Sequence, residues 1–380
     1  MMDKRLHYVD ALRVIAILMM YLFHVSMVFV SDWGWHIKNQ ESSQLLLELN
    51  FWMSSFRMPL LFMVSGCISY ILMQRMSWQS FGKLRFQRLL IPTFIWTFLL
   101  VAPQIYFERK LQGSDLNYLE FYSTFLDFQW WPQGNFHWLH LWFIPYLFSY
   151  NLLSLPIFYL LKRRHIFSKK QIRSYHIALF ILIAIIPHCL LYPYFPPSFD
   201  LIHDFARHAF FFFFILAGLF YIHIKELATF IESRRKTFLS LASFCLVWIN
   251  ILRWNAWEPF SPGIDWEAGL SSYLYLGLLN IHSWMWVLTS LGYGKKYLNR
   301  PSRILTYANT AVYPFYILHQ TLIVILAFYT VQTNDSIIFK FFFLLFLAFI
   351  SFLLIYHLLI RPYNFIRFLF GMKKKRNTSL

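Results

Sequence analysis

Three polar side chains, Asp10, Arg13 and His24, interrupt the otherwise apolar stretch DALRVIAILMMYLFHV near the start of the sequence. An α-helix turns about 100° per residue, so the eleven steps from Arg13 to His24 come to about three full turns. The two side chains would then share one helix face, about 16 Å apart along the axis. Asp10 can pair with Arg13 at i, i+3 spacing. A histidine suits general base catalysis because its ordinary pKa of about 6.5 is close to neutrality.

Two further polar residues lie deep inside apolar stretches: Arg57, about eleven residues from the outer end of the second stretch, and His319, about ten residues into the ninth. A central charge costs about 2.5 to 3.5 kcal/mol on membrane-insertion scales, so it requires a partner or water. We expect His24, Arg57 and His319 to lie at one depth in a polar chamber. Arg57 or His319 could stabilise negative charge there during catalysis. Both residues of the first stretch also have a structural explanation. Arg13 could extend its side chain to the membrane interface, and His24 could serve only as a hydrogen-bond partner of another helix.

The amino-acid composition indicates whether these residues belong to a soluble or a membrane protein. The chain has 380 residues, of which 58% are hydrophobic and 13% charged, including 44 Phe, 23 Tyr and 15 Trp. Soluble proteins carry about 25% charged residues. The first apolar stretch has no small-residue cleavage site, so we expect it to remain as a signal anchor. The sequence predicts an all-α, polytopic integral membrane protein with a single domain over residues 1–380.

Ten stretches are apolar and long enough to span a bilayer, and the eighth is interrupted by Gly277 and Asn280. The predicted spans cover residues 11–31, 46–73, 89–107, 141–162, 176–195, 204–224, 237–252, 268–292, 310–330 and 337–360.

The distribution of basic residues predicts the orientation of these spans. Of the 34 lysines and arginines, 26 lie at the termini and in alternate connections, and only 5 lie on the opposite side. Basic residues are in excess on the cytoplasmic side of membrane proteins, so we expect both termini in the cytoplasm. The net charge of +17 is therefore a topology signal, and nucleic-acid binding is not expected.

Neither a metal site nor a bound cofactor is expected. Cys67, Cys189 and Cys245 are scattered in apolar runs without a CxxC pair, which argues against a disulfide framework or a cysteine-based metal site. His137 and His140 share an i, i+3 spacing, but no neighbouring Asp, Glu or Cys completes a ligand set.

Aromatic residues cluster in the longest outer connection, in the segment FQWWPQGNFHWLHLWF. One interpretation is an interfacial aromatic belt. The other is a stacking platform for a sugar, since aromatic faces pair well with the apolar faces of sugar rings. The candidate sugar-binding residues are Trp130, Trp131, Trp138, His140 and Trp142.

Several segments resemble the acyltransferase-3 family of membrane O-acyltransferases. The segment VDALRVIAILMMYLFH is similar to the family's first helix, with its Asp-x-x-Arg and Arg-x10-His spacings on Asp10, Arg13 and His24. FRMPLLFMVSG resembles the second helix and carries Ser65 and Gly66.

Other segments extend the resemblance over almost the entire chain. KLRFQRLLIP matches the family's Arg-x-x-Arg pair on Arg85 and Arg88, and HLWFIPYLF and YPFYILHQT resemble two further motifs around His140 and His319. SDWGWHIKNQ and LGYGKKYLNRP are most similar to the glucan biosynthesis protein C branch, whose members succinylate periplasmic glucans.

The resemblance implies an acyltransferase that moves an acyl group, such as succinyl or acetyl, from acyl-CoA as a co-substrate to hydroxyls of a periplasmic glucan or other carbohydrate. His24 would be the base, helped by Asp10, Arg13, Arg57 and His319. The donor would be held by the set Lys83, Arg85, Arg88 and Ser65, because arginine recognises phosphate in a bidentate manner.

A basic cytoplasmic rim without donor binding is the alternative for the arginines. A transporter or flippase that uses the same polar chamber is the alternative function, although no internal repeat is evident.

Overall fold

The computed structural model describes residues 5–164, 172–260, 266 and 269–375. Over these residues the fold is helical, which confirms the predicted all-α class. The helices are α1 (His7–Ser26), α2 (Gln44–Met73), α3 (Trp78–Arg85), α4 (Ile91–Trp96), α5 (Ala102–Leu111), α6 (Tyr118–Phe125), α7 (Phe143–Leu153), α8 (Leu155–Arg164), α9 (Ser174–Leu191), α10 (Phe205–His223), α11 (Lys225–Ser233), α12 (Arg235–Trp254), α13 (Leu270–Tyr297), α14 (Arg303–Thr330), α15 (Ile337–Ile355) and α16 (Asn364–Leu369).

Within the described part of the chain, nine helical stretches are long and apolar enough to cross a membrane, and they coincide with nine of the ten predicted spans. The predicted span 268–292 coincides with α13, which is 28 residues long but less apolar than these nine stretches. Its polar residues Asn280, His282 and Ser283 are all buried within the protein. We conclude that the chain is a multi-pass membrane protein.

The third stretch is one helical rod from Trp78 to Leu111, which begins well before the predicted start at residue 89. The predicted connection containing Lys83, Arg85 and Arg88 is therefore helical. Short π-helical segments, Phe86–Leu90 and Thr97–Val101, interrupt the rod. Such segments often occur at functional sites.

Two prolines, Pro59 and Pro92, leave carbonyl groups that side chains of other helices satisfy. Pro92 has no N–H to donate to the carbonyl of Arg88, four residues earlier, and the Tyr313 hydroxyl donates to that oxygen at 2.9 Å. Pro59 likewise releases the carbonyl of Ser55, which accepts a hydrogen bond of 2.6 Å from the Ser283 hydroxyl. These bonds keep polar backbone groups paired inside apolar surroundings.

The chain forms two compact units. Unit 1 comprises Met1–Ala16, Ser54–Gly82 and Ser149–Leu305, and unit 2 comprises Ile17–Met53, Lys83–Phe148 and Thr306–Leu380. The prediction of a single domain over 1–380 stays a prediction.

In unit 1, two glycines allow α2 and α10 to approach closely. A Cβ on Gly66 would clash with the backbone carbonyl of Ile215, and one on Gly218 would clash with the carbonyl of Met63. Small residues let helix backbones meet in this way in membrane proteins. Gly66 therefore has a packing role in this unit.

Candidate active site

Two buried histidines form the centre of the candidate site in unit 2. His24 lies near the end of α1 and His319 lies within α14, with exposures of 8% and 1%. His24 Nδ1 is 2.8 Å from His319 Nε2, and the two rings are nearly parallel, with centroids 5.0 Å apart and planes at 7°. The two histidines, which were expected only at a similar depth, are therefore in direct contact.

The backbone of α14 defines which nitrogens carry protons. His319 Nδ1 is 2.6 Å from the carbonyl oxygen of Tyr316, which can only accept, so Nδ1 carries the hydrogen. In a neutral His319, Nε2 must then accept, and the Nδ1–H of His24 donates to it. This arrangement assigns the proton-accepting role in His24 to Nε2, as a general base requires.

Two side chains with buried, unsatisfied polar atoms adjoin this histidine pair. The indole of Trp35 stacks on His24 with centroids 5.0 Å apart and planes at 27°, and its Nε1–H has no partner among the described residues. His140 contacts His319 edge-on at 5.4 Å. Its Nε2–H donates to the Ile317 carbonyl at 3.0 Å, whereas its Nδ1 lacks a partner in the described part of the chain. Leaving a buried polar atom unsatisfied costs about 1–3 kcal/mol, so both atoms are candidates for hydrogen bonds to a bound molecule.

A buried carboxylate holds the next layer of the site together. The Nδ1–H of His36 donates to Glu108 Oε2, and the indole N–H of Trp131 donates to Glu108 Oε1 at 2.9 Å. His36 and Glu108 are 7% and 4% exposed. His36 follows Trp35 directly, and Glu108 lies in α5, so the carboxylate links the loop after α1 to Trp131.

Arg109 shapes the loop that carries these tryptophans. Its guanidinium donates to the carbonyl oxygens of Pro132 and Gly134 at 2.6 and 2.9 Å, and to the side-chain oxygen of Asn135 at 2.8 Å. Each bond fixes the loop backbone relative to the end of α5. The loop is therefore tied down by charge-assisted hydrogen bonds.

The tryptophans and the histidine predicted to bind the acceptor sugar fall into two groups in unit 2. Trp130 contacts Trp138 edge-on at 5.5 Å, and Trp130 and Trp131 both contact the ring of His137. His140, in contrast, is 6% exposed, lies in the 3-10 helix Leu139–Trp142 and contacts the ring of His319. Trp142 contacts Tyr146 one turn further on.

Several other predicted residues belong to unit 1. Asp10 accepts a hydrogen bond of 2.8 Å from Arg5 Nε at Oδ2, and it also attracts the expected partner Arg13 electrostatically. Arg57 is a buried residue of α2, 8% exposed. Ser65 also lies in α2, and its carbonyl accepts a 2.7 Å bond from Ser69.

The predicted donor arginines lie on the rod that begins at Trp78, and Arg88 lines a cavity of 880 Å³ in unit 2. Lys373 and Lys374 line the same cavity, together with Asn364 of α16. Lys83 is exposed, and neither it nor Arg85 is among the lining residues. Three cations around one cavity make it electrostatically favourable for an anion.

Sequence reasoning missed Trp35, His36 and Glu108 as site residues. Trp35 and His36 lie in SDWGWHIKNQ, a segment that carries a resemblance but no polar pattern of its own, and Glu108 is 72 residues from His36 in the chain. The one available signal was a carboxylate near the end of an apolar stretch, which is costly unless paired. Within the described residues, no group of three or more His, Cys, Asp or Glu side chains could hold a metal ion.

Comparisons with known proteins agree with the resemblance seen in the sequence. Residues 6–365 match the family described as an acyltransferase domain, of the acyltransferase-3 type. The chain is 28% identical to a glucans biosynthesis protein C of Escherichia coli over 337 residues, which cover 84% of this chain and 82% of that protein. It is 27% identical to the protein of the same name from Shigella dysenteriae serotype 1, with the same coverage. No solved structure matches the chain. The chain belongs to the acyltransferase-3 family and is a membrane acyltransferase.

Proposed function

We propose that this protein transfers an acyl group, succinyl in the first instance, from acyl-CoA to a hydroxyl of a periplasmic glucan, with His24 as the general base. The observation that carries the proposal is the hydrogen-bond chain from the Tyr316 carbonyl through His319 to His24. It gives His24 a defined tautomer whose Nε2 can take a proton. The name of the relatives, glucans biosynthesis protein C, supports a glucan as the acceptor.

In the proposed reaction, the oxygen of a sugar hydroxyl attacks the carbonyl carbon of the thioester, and its proton passes to His24 Nε2. The π electrons of the carbonyl move to oxygen and form a tetrahedral oxyanion. When the oxyanion collapses, the carbon–sulfur bond breaks. The CoA thiolate leaves and takes the proton from His24, so the imidazole is neutral again. An acyl-histidine intermediate is the covalent variant of this path.

His319 would act through His24. Its Nε2 accepts from His24 Nδ1–H, which fixes the ring and stabilises the imidazolium that forms when Nε2 is protonated. Because both ring nitrogens of His319 are engaged in this arrangement, a role as oxyanion donor is disfavoured for it. Arg13 and Arg57 stay candidates for contacts with the donor or the oxyanion.

The donor would bind at the cavity lined by Arg88, Lys373 and Lys374. The phosphates of CoA match three cations, and the guanidinium of Arg88 suits a bidentate contact. From the basic-residue bias we expect this end of the rod on the cytoplasmic side, where acyl-CoA is made. Ser65, Lys83 and Arg85 stay candidates for secondary donor contacts.

The acceptor would stack on the outer tryptophans. Trp130 is 42% exposed, so its face is accessible to a sugar ring. The bond between Trp131 and Glu108 connects this platform to His36, whose ring lies 5.5 Å from that of Trp131. With donor and acceptor on opposite sides, the enzyme would lie in the bacterial inner membrane.

The test is transfer by the purified protein in detergent. Radiolabelled succinyl-CoA and a periplasmic glucan are supplied together, and the glucan is analysed by mass spectrometry for a succinyl ester. Product formed without any vesicle or gradient supports the enzyme. Absence of ester with succinyl-CoA and with acetyl-CoA, combined with glucan uptake into vesicles, would instead favour a transporter.

A further inference from the structure

The indole of Trp35 has a polar group that the fold leaves unsatisfied next to the candidate base. Its Nε1–H is buried and has no partner among the described residues, although the ring stacks on His24 with centroids 5.0 Å apart. Buried Trp N–H groups usually find a hydrogen-bond partner. We propose that this partner is the substrate, and that Trp35 donates to the oxygen of the thioester carbonyl as it becomes an oxyanion. The inference rests on the proposed acyl transfer.

The segment that carries Trp35 is held rigidly. Lys38 donates to the carbonyl of Met27 at 2.9 Å, and the backbone N–H of Asn39 donates to the Val28 carbonyl at 2.8 Å. His36, the next residue after Trp35, donates to the buried carboxylate of Glu108. A donor fixed before the reaction stabilises charge without reorganisation during the reaction.

The N–H groups next to Trp35 in unit 2 are used in other hydrogen bonds, which leaves Trp35 to donate to the oxyanion. The Nδ1–H of His319 is used by Tyr316, and the Nε2–H of His140 is used by Ile317. His24 donates its Nδ1–H to His319 and uses Nε2 as base. An indole N–H suits the role because it is a donor only and does not titrate.

In the group-transfer step, the attacking hydroxyl oxygen forms a bond to the carbonyl carbon and its proton moves to His24 Nε2. The carbonyl π electrons move to oxygen, where the Trp35 N–H donates. On collapse, the electron pair returns, the carbon–sulfur bond breaks, and the thiolate takes the proton from His24. Trp35 gains and loses no proton in either half of the reaction.

The experiment compares Trp35→Phe with Trp33→Phe in the full-length purified protein. The phenyl group of the Trp35→Phe variant would keep an aromatic ring on His24 but lose the N–H. We expect kcat to fall on the order of 10²-fold with little change in KM for succinyl-CoA or glucan, as for removal of an oxyanion donor. Trp33 lies in the same loop and packs against Phe23, so Trp33→Phe is the matched control. Its kcat should stay within about twofold of wild type.

A second variant separates the loss of the N–H from a loss of folding. Replacing Trp35 by benzothienylalanine exchanges the N–H for sulfur in a ring of the same shape, and we expect the same loss of kcat. Either variant with kcat within about twofold of wild type, or with a raised KM alone, overturns the inference. A wild-type protein that makes no ester, or a fully active His24→Ala variant, would instead overturn the proposed function.

Discussion

At the scale of single residues, the chemistry depends on which nitrogen of His24 is available as a base. The sequence predicted that His24 and His319 lie at a similar depth on different helices, and their contact at 2.8 Å is consistent with that expectation. The tautomer could not be predicted, because it depends on the carbonyl of Tyr316, a backbone atom that no side-chain pattern reveals.

Replacing His319 by Phe tests this arrangement. Phe keeps an aromatic ring beside His24 but removes the acceptor for its Nδ1–H, so the imidazole loses its fixed tautomer. We expect kcat to fall by about 10²- to 10⁴-fold, while KM for acyl-CoA changes little. The measurement is initial rates at saturating donor and acceptor, and an unchanged kcat would show that His319 does not orient the base.

At the scale of elements, the hydrophobic pattern predicted the helices well, since apolar length is the main requirement for crossing a bilayer. It missed the start of the rod at Trp78, because Lys83, Arg85 and Arg88 make that end polar. It also could not predict how Pro92 exposes the Arg88 carbonyl to Tyr313, which requires knowledge of the neighbouring helix.

The close approach of α2 and α10 leads to a stability prediction. Gly66→Ala would place a methyl group against the Ile215 carbonyl, and we expect a loss of about 1–3 kcal/mol in the free energy of unfolding. Gly277 of α13 has open space around its Cβ position, so Gly277→Ala is the control and should not destabilise the protein. Thermal unfolding in detergent measures both. Equal melting temperatures for the two variants would refute the packing role of Gly66.

The cavity beside α16 leads to a binding prediction. Lys373→Ala combined with Lys374→Ala should raise KM for acyl-CoA about tenfold or more and leave kcat nearly unchanged, because two cations that contact the phosphates are lost. The same change at Lys295 and Lys296, which are basic residues outside this cavity, is the control. If both double variants have the same KM as wild type, the donor phosphates bind elsewhere.

At the scale of the whole molecule, the sequence predicted a polytopic membrane protein from composition alone, and the family match extends over nearly the full chain. The layer around Glu108 was beyond prediction, since it joins residues from three distant segments. The orientation in the membrane depends on the bias of basic residues and has its own test.

We expect a reporter domain that is active only in the cytoplasm to be active when it is fused to either terminus. A tag inserted in the segment Gly113–Leu116, between α5 and α6, should be accessible from the periplasm, because few basic residues lie on that side of the chain. Accessibility of the inserted tag from the cytoplasm would require the opposite orientation, and with it a different side for the donor cavity.

The most direct measurement of the central claim is kcat for His24→Ala against His188→Ala. Both histidines are buried within helices and bond a residue of another helix, His188 through Nδ1 to Asn280 at 3.0 Å. We expect His24→Ala to lose at least about 10²-fold in kcat with its fold retained, and His188→Ala to remain active. Near-normal turnover by His24→Ala would contradict its role as the general base.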